Sequence, residues 1–265
     1  MNELCCVVAV WGVTQLHDVV YMVCYQSSTI LRFNATTHER LTDIDVKDLR
    51  APLDIVACEQ TSQLYVADSW EHVWRVSADG TDIKLWWTKS STDTSGPRTL
   101  SVRSTRLLVT SRNTNQLMQL DSLGNELRRV QLPDHMNPLH AVESPTTTFI
   151  VTDRNIQLNQ YQVSEVNTDG QVLHQFNGSR LSPLGWTRHI AIDSHGNVLV
   201  ANYGNSRILL LDAKLRLRRL IIDEHLLNDR QPRRLCYKES TGQLLVGFYD
   251  EKVAVFDVLC LKKER

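Results

Sequence analysis

Short apolar runs recur along the whole chain, each separated from the next by a polar turn. Residues 198–201 read VLVA, and similar runs occupy residues 20–24, 63–68, 106–111, 148–153 and 243–248. A second apolar run follows each of these, at residues 30–33, 73–76, 117–120, 163–166, 208–211 and 253–256. A third run follows four of them, at residues 83–87, 127–130, 172–176 and 217–221. Short runs of this kind, bounded by turn signals, predict buried β-strands.

Each repeated unit begins at a proline or at a tryptophan in the equivalent place. These residues are Pro52, Pro97, Pro138, Trp186 and Pro232, at intervals of 45, 41, 48 and 46 residues. A proline suits the first residue of a strand, because no ladder hydrogen bond needs its missing N–H there. The period predicts an all-β, six-bladed β-propeller of four-stranded antiparallel blades, in a single domain over residues 1–265.

Two other repeat folds fit the pattern poorly. A helical solenoid needs apolar residues that recur about every 3.6 residues. These runs are instead short and rich in Val, Ile, Leu and Thr, a composition that favours strands. A parallel α/β fold needs helices of about a dozen residues between its strands. Residues 223–229 offer at most a helical turn. The propeller is therefore the preferred interpretation.

The sixth unit lacks a clear outermost strand, because a third apolar run does not follow residues 253–256. The apolar stretch LCCVV, residues 4–8, precedes the innermost strand of blade one, which the pattern places near residues 13–16. We predict that residues 4–8 complete blade six and close the ring. Closure would remove the exposed sheet edges that otherwise recruit other chains.

Composition narrows the function classes. Lys and Arg number 29 against 30 Asp and Glu, so a nucleic-acid role would need a local basic patch. The six cysteines show no C-x-x-C spacing, which argues against a zinc site and against a disulfide framework. The chain start lacks the basic residues of a signal peptide, so we expect a cytoplasmic protein. Two sequons, at Asn34 and Asn177, keep a secreted location open.

Residues 190–212 carry a resemblance to a known repeat. Their pattern resembles the NHL repeat at Asp193, Gly196, Asn197, Asn202, Asn205, Arg207 and Ile208. The resemblance implies scaffold roles, with positive φ at Gly196 and Asn197 and loop hydrogen bonds from Asn205 and Arg207. Similar propellers, as in tripartite-motif ubiquitin ligases, are recognition domains for protein or RNA. Because this chain shows no zinc-binding RING or B-box segment, ligase activity is not carried over.

Propeller topology predicts where a binding site would lie. The start of each innermost strand and the end of the second strand share one face, at the mouth of the central channel. Arginines and aromatic residues, which are common in interface hot spots, concentrate there. The predicted binding residues are Arg98, Arg112, His140, Arg154, Arg188, His189, Tyr203, Arg233, Arg234, Phe248 and Tyr249.

The preferred interpretation is a monomeric, non-enzymatic module that binds a protein partner through this face, with neither cofactor nor membrane. RNA binding is the alternative, and acidic residues on the same face argue against it. A calcium-dependent hydrolase or lyase is a further alternative, with Asp54, Asp153 and Asn202 as ligands and His140 or His189 as base. Its ligand set is incomplete, because blades one, three and six offer Tyr25, Ser111 and Phe248 instead. We therefore predict no catalytic residue and no metal.

Overall fold

The computed structural model describes residues 2–5, 9–89, 96–111, 114–178, 183–250 and 252–258. It contains six four-stranded antiparallel sheets, which are the six predicted blades. Each innermost strand packs against that of the next blade, and the innermost strand of blade six packs against that of blade one. The sheets therefore form a closed ring around a central channel, and the predicted six-bladed propeller is confirmed.

The strands follow the predicted units closely. Blade one comprises β2 (Val10–Leu16), β3 (Val19–Cys24), β4 (Thr29–Asn34) and β5 (Ile44–Asp45). Blade two comprises β6 (Pro52–Cys58), β7 (Gln63–Asp68), β8 (His72–Ser77) and β9 (Ile83–Thr88). Blade three comprises β10 (Pro97–Arg103), β11 (Arg106–Ser111), β12 (Gln116–Leu120) and β13 (Glu126–Gln131). Blade four comprises β14 (Met136–Glu143), β15 (Phe149–Asn155), β16 (Gln160–Val166) and β17 (Val172–Phe176).

Blade five comprises β18 (Thr187–Ile192), β19 (Val198–Asn202), β20 (Arg207–Leu211) and β21 (Leu217–Ile222). Blade six comprises β22 (Pro232–Lys238), β23 (Gln243–Phe248), β24 (Lys252–Asp257) and, from the chain start, β1 (Asn2–Cys5). A single 3₁₀ turn, Tyr203–Asn205, follows β19 among the described residues.

The N-terminal strand closes the ring, as predicted. β1 pairs antiparallel with β24 over residues 2–5, whereas the expected segment was 4–8, and residues 6–8 lie outside the described part of the chain. Leu4 is buried in the core between blades six and one. Glu3 forms ion pairs with Arg230 at 2.7 Å and Lys252 at 2.9 Å. Apolar packing and charge therefore both hold β1 on blade six.

The hydrophobic core lies between neighbouring blades rather than inside any one of them. Second strands such as β19 are buried along their whole length, because a blade packs against each of their faces. This burial explains why the VLVA-type runs do not alternate with polar residues. Outermost strands such as β13 are mostly exposed.

The NHL-like residues of blade five have scaffold contacts. Gly196 has a φ of +84°, as expected, but Asn197 does not adopt positive φ. The Asn197 side chain instead donates a 2.7 Å hydrogen bond to Asp193. Asn205 donates to the carbonyl of Pro183 at 2.9 Å, and Arg207 pairs with Glu224 at 2.7 Å. The Asp193–Asn197 contact fixes the turn between β18 and β19 at the end opposite the mouth, whereas the contacts of Asn205 and Arg207 fix the loops on the mouth side.

Every innermost strand carries a β-bulge close to its first residue. The register shifts lie between Val10 and Gly12, Pro52 and Asp54, Pro97 and Thr99, Pro138 and His140, Thr187 and Ile190, and Pro232 and Arg234. A bulge inserts one residue opposite the partner strand and redirects its side chain. The bulges thus create, at one end of the channel, a ring of positions that a regular ladder would not provide.

Candidate functional site

The channel mouth, the end at which the innermost strands begin, opens into a cavity of about 640 Å³. Each blade contributes the residue at its bulge to the cavity wall. These residues are Trp11, Leu53, Arg98, Leu139, Arg188 and Arg233. One of these six positions is aromatic, two are aliphatic and three are cationic, so the lining of the cavity is asymmetric. Its cations lie on blades three, five and six, and its apolar residues on blades one, two and four.

Two of the arginines are stacked on tryptophan rings. The guanidinium carbon of Arg188 lies 3.7 Å from the centre of the Trp186 ring. That of Arg233 lies 3.9 Å from the centre of the Trp11 ring. A guanidinium that stacks on an indole is held in one plane and keeps its N–H edges available for a ligand. The stacks therefore orient both arginines before any ligand arrives.

Tyrosines extend the aromatic surface to the rim of the cavity. Tyr203 lies beside Arg188 at 5.1 Å, and Tyr249 lies beside Arg233 at 5.4 Å, both measured to the ring centre. Tyr25 stacks on Trp11 with ring centres 5.3 Å apart. Further exposed apolar side chains at this end of the channel are Trp70, Ile156, Leu158 and Trp186.

The carboxylates that line the cavity already have partners. Asp68 accepts hydrogen bonds from the indole of Trp74 at 2.9 Å and from the His72 backbone at 3.0 Å. Glu71 pairs with Lys89 at 2.9 Å. Within the described part of the chain, neither Arg188 nor Arg233 forms an ion pair with a carboxylate. The cavity therefore carries an excess of positive charge.

Burial acts strongly on these arginines. Burial, together with the positive charges of Arg234 and Arg188, lowers the pKa of Arg233 to about 9. Burial also lowers the pKa of Arg188, with a contribution from Arg234. Three guanidiniums thus lie close enough to repel one another at the base of the mouth.

One layer deeper, the residues after the bulges plug the channel. Arg234 lies 3.3 Å from the carboxylate of Asp54 and donates a 2.9 Å hydrogen bond to the carbonyl of Leu53. The rings of His140 and His189 stack with centres 3.6 Å apart. Burial lowers the pKa of His140 to about 3 and that of His189 well below 6.5, so both rings are neutral at pH 7.

This layer ties neighbouring blades together. Asp54 accepts the backbone N–H of Leu100 at 2.9 Å, and His140 accepts that of Ile190 at 3.3 Å. His189 accepts the N–H of Leu235 at 3.3 Å. Each acceptor belongs to one blade and each donor to the next. These side chains therefore have a structural role in the ring.

Asp54, His140 and His189 also form the group of described acidic, histidine and cysteine side chains whose ligand atoms lie within 4.8 Å of one another. The contacts of His140 and Asp54 do not suit a metal ion. Both ring nitrogens of His140 contact backbone groups, Ile190 N and Leu100 O. The cation of Arg234 already lies beside the Asp54 carboxylate, where it would repel a metal.

The sequence suggested Asp54, Asp153 and Asn202 as calcium ligands, but these residues have separate hydrogen-bond partners. Asp153 accepts hydrogen bonds from Gln162 at 2.7 Å and Ser164 at 3.0 Å, within blade four. Asn202 accepts the N–H of Gly185 at 2.9 Å and donates to Pro183, which fixes the loop before β18. Asp153 and Asn202 thus stabilise their own blades, whereas Asp54 lies close to His140 and His189.

The other predicted binding residues occupy different layers. Arg98, Arg188, Arg233 and Arg234 line the cavity, and Tyr203 and Tyr249 lie at its rim. Arg154 is exposed on the blade-four hairpin, where it donates to Asn159. Phe248 is fully buried in the core between blades five and six, because it faces the same side of β23 as that core. Arg112 lies outside the described residues.

Sequence reasoning missed three of the six bulge positions. Trp11, Leu53 and Leu139 line the cavity although none was a candidate. A signal for two of them was present, since Leu53 and Leu139 directly follow the proline that opens the unit. Arg98 and Arg233 also directly follow the proline that opens their unit, and both line the cavity.

Comparison with known proteins supports the fold. No protein-family model and no curated protein sequence matches the chain. A solved structure of Kuenenia stuttgartiensis hydrazine synthase is similar, with a TM-score of 0.67, 15% identity, and 94% of this chain and 83% of that chain covered. A catalytically inactive virginiamycin B lyase from Staphylococcus aureus, solved with quinupristin, has a TM-score of 0.68 at 14% identity and covers 93% and 79%.

A structure of a nidogen/laminin complex is also similar, with a TM-score of 0.64, 16% identity, and coverage of 82% of this chain and 81% of that chain. These identities establish the propeller fold alone, and the NHL family is not confirmed by them. Separately, the described residues contain no helix that is both long enough and apolar enough to cross a membrane.

Proposed function

We propose that this protein is a non-enzymatic recognition module that binds a protein partner through the channel-mouth face. The observation that carries the proposal is the ring of exposed aromatic side chains around a concave, positively charged cavity. Trp186 and Tyr249 are 41% and 61% exposed although both are large and apolar. Exposed aromatic residues beside arginine are typical of interface hot spots.

A protein partner suits this face better than RNA. The arginines lie inside a cavity of about 640 Å³, which accepts a side chain rather than a polynucleotide backbone. Asp68 and Glu71 line the same cavity and would repel successive phosphates. The resemblance of blade five to the NHL repeat and the presence of a structural neighbour in a nidogen/laminin complex are consistent with a recognition role.

The test is quantitative affinity enrichment with the full chain, comparing wild type with Trp186→Ser/Tyr249→Ser. The matched control is Leu123→Ser/Leu127→Ser, which removes two exposed apolar side chains of blade three away from the mouth. A partner that binds the mouth should be lost by roughly 30-fold or more in the rim variant, because hot-spot truncations cost about 2 kcal/mol. The control should bind as wild type, and both variants should keep the wild-type melting temperature.

The partner is then purified, and its binding is measured by calorimetry with the same variants. Equal binding by the wild type and the rim variant would contradict the proposal. Loss of binding after nuclease treatment would instead favour RNA.

A further inference from the structure

Among the described residues, Arg188 and Arg233 at the base of the mouth have no carboxylate as counter-charge. Arg233 is only 5% exposed, and its Nε atom has no hydrogen-bond partner among the described residues. The Nε atom of Arg188 is likewise buried without a partner. A buried cation is costly unless an anion compensates for it. The neighbouring Arg234 cannot compensate, since it is a cation that already pairs with Asp54.

We propose that Arg188 and Arg233 form an anion subsite that binds a carboxylate, carried by an acidic side chain or chain terminus that a protein partner inserts into the mouth. The identity of the carrier rests on the proposed function, whereas the subsite itself does not. Guanidinium groups bind carboxylates through paired N–H donors, and the stacks on Trp186 and Trp11 orient these donors in advance.

The surroundings favour one inserted carboxylate over an extended anion. The apolar side chains of Leu53 and Leu139 line the same cavity as the arginines. The paired acids Asp68 and Glu71 also line the cavity and limit how much negative charge it accepts. An acidic residue flanked by apolar residues fits this arrangement, because the flanking residues can pack on the aromatic rim.

Glutarate, a dianion in which each carboxylate is attached to a methylene chain as in a glutamate side chain, is the probe. It is titrated into the full chain and followed by calorimetry and by the ¹H–¹⁵N signals of arginine Nε–H groups. We expect one saturable site with a dissociation constant on the order of 1 mM, given the few atoms of the probe. Inorganic phosphate is titrated in parallel.

The variants are Arg188→Gln and Arg233→Gln, with Arg218→Gln as control. Arg218 is exposed on the outermost strand of blade five, the blade that also carries Arg188. Each site variant should weaken glutarate binding by about tenfold or more, since each removes charged hydrogen bonds. The control should be unchanged. All three should still unfold cooperatively, because neither Arg188 nor Arg233 forms an ion pair with a carboxylate among the described residues.

Three results would overturn the subsite: no saturable binding of glutarate, equal binding by the site variants and wild type, or tight binding of phosphate alone. The result also separates the two proposals. If a partner requires the aromatic rim but glutarate does not bind, the subsite is contradicted and the recognition function stands. If glutarate binds but no protein partner is found, the recognition function and the assignment of the carboxylate to a protein are contradicted, and the subsite stands.

Discussion

The two ends of the central channel are built from the same repeat but differ in how their polar groups are satisfied. At the end opposite the mouth, Lys238 of blade six forms an ion pair with Glu59 of blade two. His17 contacts the hydroxyl of Ser62 at 3.2 Å. At the mouth, by contrast, Arg188 and Arg233 have no carboxylate partner among the described residues. The cation Lys238 is thus paired with a carboxylate at one end, whereas Arg188 and Arg233 at the other end can accept an anionic ligand.

Strand register explains the difference. At the opposite end, the first two strands of a blade are joined by tight turns with regular pairing, as between Leu16 and Val19 or between Arg103 and Arg106. At the mouth, each innermost strand contains a bulge. Regular pairing sends side chains into the packed interface between blades, whereas a bulge turns one side chain per blade toward the channel. The irregular part of the repeat is therefore where a binding site can vary without disturbing the core.

The Asp54–Arg234 pair separates the two ends, and breaking it should have the largest effect on the molecule. Asp54→Asn leaves Arg234 buried without a counter-charge, so we expect a loss of about 3–5 kcal/mol in the free energy of unfolding. Urea denaturation measures this loss. The double variant Asp54→Asn/Arg234→Met removes both charges and should recover at least half of it. A double variant as unstable as the single one would show that the charge pair is not the cause.

The sequence predicted the fold well, because the period of the apolar runs survives in all six blades. It also predicted ring closure, since blade six lacked a strand that residues near the start could supply. The site was harder. Tyr249 and Phe248 are neighbours in sequence, yet one lies at the rim and the other in the core, and strand register alone decides between them. Trp11 was missed for the same reason, because a bulge is a tertiary feature, whereas the proline before Leu53 marked its position in the sequence.

Blade four offers a pH-dependent comparison of the two ends. Burial raises the pKa of Asp153, near the mouth, to about 7, although hydrogen bonds from Gln162 and Ser164 oppose the rise. Its stabilising contribution is therefore fully present below about pH 4, the unfolded pKa, and is lost as the pH rises through about 7. Asp153→Asn should be more stable than wild type at pH 8, on the order of a few kcal/mol, and this gain should vanish near pH 4.

Glu143, at the opposite end of blade four, is the matched control, because it is paired with Arg106 and accepts a hydrogen bond from Gln119 at 2.7 Å. Glu143→Gln should lose stability at pH 8 by about 1–3 kcal/mol. Melting temperatures measured from pH 4 to 8 check both expectations. A gain for Asp153→Asn that does not change with pH would rule out titration of this carboxyl.

The smallest expected effects come from single cations at the two ends. Arg233→Met replaces a buried, uncompensated charge with an apolar side chain of similar length, so we expect stability to stay within about 1 kcal/mol of wild type, on the stabilising side. Loss of the stack on Trp11 limits the gain. Lys238→Met breaks an ion pair whose Glu59 side chain is 58% exposed, and should cost under about 1 kcal/mol. Urea denaturation measures the change in the free energy of unfolding for both variants. A gain for Arg233→Met and a loss for Lys238→Met would show that Arg233 does not stabilise the fold. An arginine needed for folding would instead cost several kcal/mol when removed.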